Sequence, residues 1–285
     1  MSYTPVQMNR YPIATLTDAH IHLFEHGYAG TGEGDDDLVA YERLRAAHGI
    51  DQALVVCFEG DERFAGNNAY VAGVASRTPW VRPLAYVPVS DEGRTTLSQI
   101  SDPFVGVTLY LLDQSTADTA ATWLATSWAS LRTRQGLVSL NVRAAFLGQA
   151  TAVAQAAGVP VLLSHLGLPG SVDPHTPAQA PETVLAPLLA AAEVPNLHVK
   201  VSGLYALGPA ATDLAWQQRA VALTVEAYGP DRVHWGSDFP PVLDHTTFQA
   251  AQADDVLDSL SPAAAARVRG AALADLLDRA SEGRP

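Results

Sequence analysis

The feature that most constrains the fold is an alternation repeated eight times along the chain. Short, largely apolar runs bounded by turn residues recur at Thr15–His22 (TLTDAHIH), Ala53–Phe58, Val81–Val89, Val105–Leu112, Leu137–Val142, Val159–His165, Leu197–Ser202 and Val233–Ser237. Several are β-branched and short enough to be strands buried on both faces. Between them lie helix-like segments: Asp37–His48, Asn67–Arg77, Asp91–Ser101, Ala117–Arg132, Ala145–Ala157, Glu182–Glu193 and Thr212–Tyr228. The first opens on acidic residues and stops at Gly49, and Gly158 and Gly229 follow two others as C′ residues. Segments around Thr247–Leu257, Pro262–Arg269 and Ala271–Ala280 follow the last strand. This pattern predicts an α/β fold, a (β/α)8 TIM barrel with extra C-terminal helices. The 285 residues suit one such domain, with 1–12 as an N-terminal extension. A doubly wound open sheet is the rival. It usually has fewer strands and often a Gly-rich phosphate turn after the first, whereas here the first strand ends in His-x-His and no GxGxxG occurs.

Composition narrows the function. The net charge of −13 repels phosphate backbones, which argues against nucleic acid as a partner. No stretch reaches the ~20 apolar residues that span a bilayer, and Met1–Arg10 is polar, without the apolar core of a signal peptide. Cys57 is the single cysteine, so no intrachain disulfide forms. The expectation is a soluble, cytoplasmic protein acting on a small molecule, without a membrane partner.

Three strand ends carry chemistry. In Asp18-Ala19-His20-Ile21-His22, alternation on a strand points His20 and His22 the same way, ~6.6 Å apart along the backbone. Two converging imidazoles suit a divalent metal such as zinc; otherwise they are unrelated residues beside a turn. His165 ends the run VPVLLSH, as a metal or catalytic group or as a satisfied structural histidine. Asp238 follows VHWGS and precedes Phe239-Pro240-Pro241, as an Asx-turn residue or as a carboxylate that ligates metal or moves a proton. All three features occupy the C-terminal ends of strands, where barrel active sites are built.

Taken together, DAHIH, SHLGLPG, HVKVSGL and HWGSDFP resemble the amidohydrolase-2 branch of the amidohydrolase superfamily over roughly residues 17–241. The resemblance implies a distorted (β/α)8 barrel and a metal-dependent hydrolase or decarboxylase. Lactonase-like members, acting on sugar lactones or pyrone dicarboxylate, carry similar segments. It implies His20, His22, His165 and Asp238 as metal or catalytic positions, with Zn2+ as the expected ion. Two departures stand out. Members with a well-formed metal site usually add a fifth-strand histidine, where this chain has Asn141; some lactonase relatives work without metal. A fourth-strand arginine in Gly-x-Arg is replaced by Thr108, which argues against a dicarboxylate substrate.

Secondary candidates are Lys200, which could polarise a carbonyl, bind a carboxylate or form a barrel-core ion pair; Glu59 and Asp61, for sugar hydroxyls or merely solvated; Arg143, for substrate or the surface; and Tyr110 and Tyr205 as pocket walls. With Asn141 these complete the candidate substrate residues. His26 and His175 fall in mouth loops, His48 at a helix end, and His245 and Cys57 read as structural. The leading expectation is a lactone-opening hydrolase in which a bound metal lowers the pKa of water towards ~7 and Asp238 shuttles the proton. In an alternative division of labour, His165 fixes the carbonyl oxygen and Asp238 is mainly the base. The competing functions are a metal-dependent nonoxidative decarboxylase and a non-catalytic barrel that binds a small ligand.

Overall fold

The computed structural model describes residues 16–30, 36–169, 179–207, 213–252 and 254–282. The extension 1–12, Thr15, Thr212 and His175 lie outside the described residues. Eight parallel strands pair in sequential order: β1 Leu16–Ile21, β2 Ile50–Val56, β3 Val81–Tyr86, β4 Gly106–Leu111, β5 Leu137–Val142, β6 Val161–Leu163, β7 Leu197–Val201 and β8 Val233–Trp235. The first and last regions meet through Ile21 and Phe239, with His22 N donating to Phe239 O (2.7 Å) and Asp238 N to His20 O (2.8 Å). The result is the expected, nearly closed (β/α)8 barrel with extra C-terminal helices.

The helices between strands are α1 Asp36–His48, α2 Asn67–Ala75, α3 Asp91–Ser98, α4 Gln114–Ala121, α5 Ala129–Thr133, α6 Leu147–Ala157, α7 Pro181–Val184, α8 Ala186–Ala190 and α9 Leu214–Tyr228. α10 Phe248–Ala251, α11 Pro262–Ala266 and α12 Ala272–Glu282 follow β8. Local chemistry sets their ends. Ser90 Oγ accepts from Gly93 N (3.1 Å) to cap α3, Asp113 forms a capping box with Thr116 for α4, and Gly158 ends α6 at φ 63°. Two predicted helices are broken. The segment Ala117–Arg132 divides because a short turn, Ala125–Trp128, lets both Trp123 and Trp128 turn into the core, ring centroids 5.8 Å apart. Glu182–Glu193 divides at Leu185, because Pro187 has no N–H and its ring crowds the carbonyl four residues back.

The larger core lies between sheet and helices, where Val55, Leu109, Leu140, Leu163 and Val199 meet Val71, Val153 and Val221. A second cluster fills the barrel's lower interior: Leu54, Leu84, Val105, Leu137 and Leu162 pack with Leu273, Leu276 and Leu277 of α12. Val105 and Leu137 sit at the starts of their strands, so α12 seals the barrel floor. Apolar side chains therefore dominate the floor, with His198 beside Leu162 as a polar intrusion, and the candidate site's polar groups lie in the upper interior. No described helix is long and apolar enough to cross a membrane.

Candidate active site

The register of β1 shifts as it approaches the mouth. Asp18 pairs with Ala53 and Ile21 with Val55, so β1 spends three steps where β2 spends two. Such a bulge re-aims side chains. Ala19 joins the floor cluster, and His20, one residue on, meets groups from β6 and β7. The Nε2 atoms of His20 and His22 converge to 3.2 Å. His22 Nδ1 lies 2.7 Å from Val56 O, so its N–H donates to that carbonyl and Nε2 keeps the lone pair. His20 Nδ1 faces Ser164 Oγ (3.4 Å) and Lys200 Nζ (3.3 Å), and Lys200 Nζ donates to Ser139 Oγ at 2.7 Å.

His165 begins a 3-10 turn beyond β6 with φ 53°, followed by Leu166 at 53° and Leu168 at 39°. Left-handed backbone at non-glycine residues costs on the order of 1–3 kcal/mol each and clusters at functional sites. The turn carries the His165 ring to within 4.7 Å of the His20 ring centroid, and its Nδ1 to 3.0 Å from Ser202 Oγ. Asp238, also left-handed (φ 62°), places Oδ1 3.6 Å from His20 Nε2, while Oδ2 accepts from Tyr205 OH at 2.5 Å. The glycines of the SGL and WGS motifs make room. A Cβ at Gly203 (φ 55°) would lie 2.3 Å from His165 Nδ1, and one at Gly236 would lie 2.9 Å from His20 N.

Burial holds the His20 and His22 imidazoles neutral. It drives His20 well below the ordinary histidine range, with the Lys200 charge adding to the effect, and it lowers His22. Neutral imidazole is the form that ligates metal. His20, His165 and Asp238 are buried and offer ligand atoms all within 4.8 Å of one another. Neutral imidazole nitrogen and carboxylate oxygen are donors that zinc-like ions take. The donor set thus fits a divalent metal. His22 is tied to it through His20, and Asn141 lies beside Tyr110 on the neighbouring strand. Lys200, its amine brought down to about 7 by burial, presses against the outer nitrogen of His20. It sits beneath the histidines rather than at the open mouth.

Other candidates scatter around this centre. Tyr110 and Asn141 are register partners on β4 and β5, both partly exposed. Tyr205 holds Asp238 and stacks on His245 at 4.2 Å, which places His245 at the site's edge. Arg143 is exposed just past β5. The Glu59 carboxylate accepts from Asn68 N (2.8 Å), Asp61 caps a turn and pairs with Arg63, and His26 is exposed. Sequence reasoning missed Ser202, Ser164, Gly203 and the brace made by Asp18. That carboxylate accepts from His20 N (3.1 Å), Ser237 N (2.9 Å) and Tyr41 OH (2.9 Å), joining β1 to the turn after β8.

Residues 17–274 match the amidohydrolase family model Amidohydro_2. The chain belongs to the amidohydrolase family. The fold of this amidohydrolase is shared with a zinc-bound amidohydrolase from Burkholderia multivorans (19% identity, 93% of this chain and 99% of that one, TM-score 0.75). It is also shared with a protein assigned as a 2-pyrone-4,6-dicarboxylic acid hydrolase from Pseudomonas putida (21%, 94% and 99%, 0.70) and with 2,6-dihydroxybenzoate decarboxylase from Rhizobium (15%, 93% and 99%, 0.61). At such identities the likeness is one of fold. No curated protein matches the sequence.

Proposed function

We propose that this amidohydrolase opens a lactone, or a related ester or amide carbonyl, by metal-assisted hydrolysis. The observation that carries the reading is the buried group of His20, His165 and Asp238, with ligand atoms within 4.8 Å of one another at the barrel mouth. His20, His22, His165 and Asp238 would hold a zinc-like ion, which supplies Lewis acidity and a lowered pKa for water when bound. The chain's own groups do the rest. Tyr205 donates to Asp238 Oδ2 and leaves Oδ1 as the basic oxygen. Asp238 takes the proton of the attacking water and returns it to the leaving alkoxide. Ser202 orients the His165 ring, and the Val56 carbonyl fixes that of His22. Thr108 stands where an arginine would clamp a substrate carboxylate, which weighs against decarboxylation.

Metal analysis of the purified protein, paired with two screens, tests this. Acid release from lactones that depends on added Zn2+ is expected. Carbon dioxide release from aromatic acids would favour a decarboxylase instead. Binding without turnover of either substrate set would favour a ligand-binding barrel.

A further inference from the structure

The mouth is asymmetric. Beyond β1 to β4 it is walled by six aromatic rings. The Phe24 ring stacks on that of His22 (centroids 5.7 Å apart, planes at 10°) and on Phe64 (4.0 Å). Tyr28 lies against Phe64 at 6.4 Å. Phe64 leads to Phe58 (6.0 Å), and Phe58 to Tyr110 (4.8 Å) and Tyr86 (5.6 Å). The wall thus starts on one candidate metal ligand. It ends at Tyr110, the register partner of Asn141 on β5. Phe58, Tyr86 and Tyr110 remain partly exposed, unlike the core aromatics Tyr41, Trp123 and Trp128.

Several polar side chains around the wall, among the described residues, are already engaged. Asn67 donates to Leu23 O (2.7 Å) and accepts from Phe58 N (3.0 Å). Asn68 donates to Tyr86 O (2.9 Å) and accepts from Tyr86 N (2.7 Å), and Glu59 accepts from Asn68 N. Asp37 accepts from Phe24 N (3.1 Å). Arg63, over the Phe64 ring, is neutralised by Asp61. These bonds hold the rings in place before any ligand arrives. Glu59 adds negative charge beside the wall.

Resting on the hydrolase reading above, we propose that the substrate is an uncharged lactone carrying a flat aromatic ring whose face stacks on Phe58 and Tyr110 while the lactone carbonyl reaches the His20–Asp238 centre. Aromatic pairs favour offset or edge contacts at 4.5–7 Å, the spacing Phe58 already keeps with Tyr110 and Tyr86.

The test uses the zinc-supplemented full chain. Dihydrocoumarin, its carboxylated derivative and D-glucono-1,5-lactone are compared as substrates. Binding of the lactam 3,4-dihydro-2-quinolinone is measured by calorimetry. Dihydrocoumarin should exceed the saturated lactone in kcat/KM by at least about 10-fold beyond the ratio of their uncatalysed hydrolysis rates. Phe58→Leu and Tyr110→Leu should each weaken lactam binding roughly 3–10-fold at unchanged melting temperature, and Tyr110→Phe should restore it. Preference for the saturated lactone, or variants that bind the lactam as tightly as the parent, would overturn the ring assignment while leaving hydrolysis intact. Preference for the carboxylated derivative, abolished by Arg143→Gln, would overturn the uncharged assignment. Lactam binding that responds to the wall, with no lactone opened, would remove the hydrolase reading and keep the ring assignment.

Discussion

Asp238 is held on three sides: its N–H by His20 O, one carboxylate oxygen by Tyr205, and its backbone in the left-handed region. Asp238→Asn keeps the shape and removes the proton acceptor. If Asp238 is the base, kcat falls by ~10²–10⁴ with little change in melting temperature. A merely structural aspartate forecasts the reverse: a loss of ~0.5–2 kcal/mol, by analogy with a helix cap, and unimpaired turnover. Steady-state kinetics and thermal melts on one variant separate the two. Gly203→Ala is the steric counterpart. Its Cβ would press on His165 Nδ1 at 2.3 Å, so kcat/KM should drop at least about 10-fold while far-UV circular dichroism keeps the barrel signature. The residues that the sequence displays are those at strand ends in distinctive short motifs: His20, His22, His165 and Asp238. Ser202 and Asp18 escape notice because their roles depend on partners brought together only by folding, as with Asp18 and Ser237.

Among the elements, α12 is the one whose role composition does not disclose. Its sequence reads as one more surface helix after the last strand, yet Leu273 and Leu277 are fully buried against the inner faces of β2, β3 and β6. Leu277→Ala should cost about 2–5 kcal/mol, read as a lowered denaturation midpoint, with KM unchanged because the mouth lies at the opposite end. Strand order and most helix positions were legible from periodicity and caps. The two divided helices were not, since burial of Trp123 and Trp128 overrides local propensity, and Pro187 sits inside an otherwise helical run.

For the whole molecule, buried rings set the response to acid. His198 and His234 stack inside the barrel with Nδ1 and Nε2 3.0 Å apart. Burial brings His198 down to about 4, helped by Arg232 and Arg279 and opposed by Asp231, and drives His234 well below the usual range. The unfolded chain takes up the protons these rings refuse, so stability is fully present above about pH 6.5 and falls as pH drops towards 4. His198 alone accounts for about 3 kcal/mol of that loss. Asp18 and Asp37, both raised to about 6 by burial, act oppositely, since acid relieves them. Five histidines with lowered values, His20, His22, His48, His198 and His234, outweigh them. Melting temperatures recorded from pH 7 to 4 should decline, and less steeply in His198→Asn. Chelation should leave the fold standing, because neither apolar cluster contains a candidate ligand. The expected outcome is an unchanged circular dichroism spectrum with a modestly lower melting temperature; outright unfolding would make the ion structural.

The candidate centre straddles the seam where the barrel closes. His20 comes from the first strand and His22 from just past its end, Asp238 from just after the eighth, and Asp18 reaches across to Ser237. Assembling the site and shutting the cylinder are thus a single event. A growing chain on the ribosome cannot present both halves until the segment through Asp238 has emerged, so partly made protein would hold lone imidazoles without their carboxylate. Turnover would then serve as a readout of completed closure, and a cut at this seam would silence the centre before it melted the layers beneath.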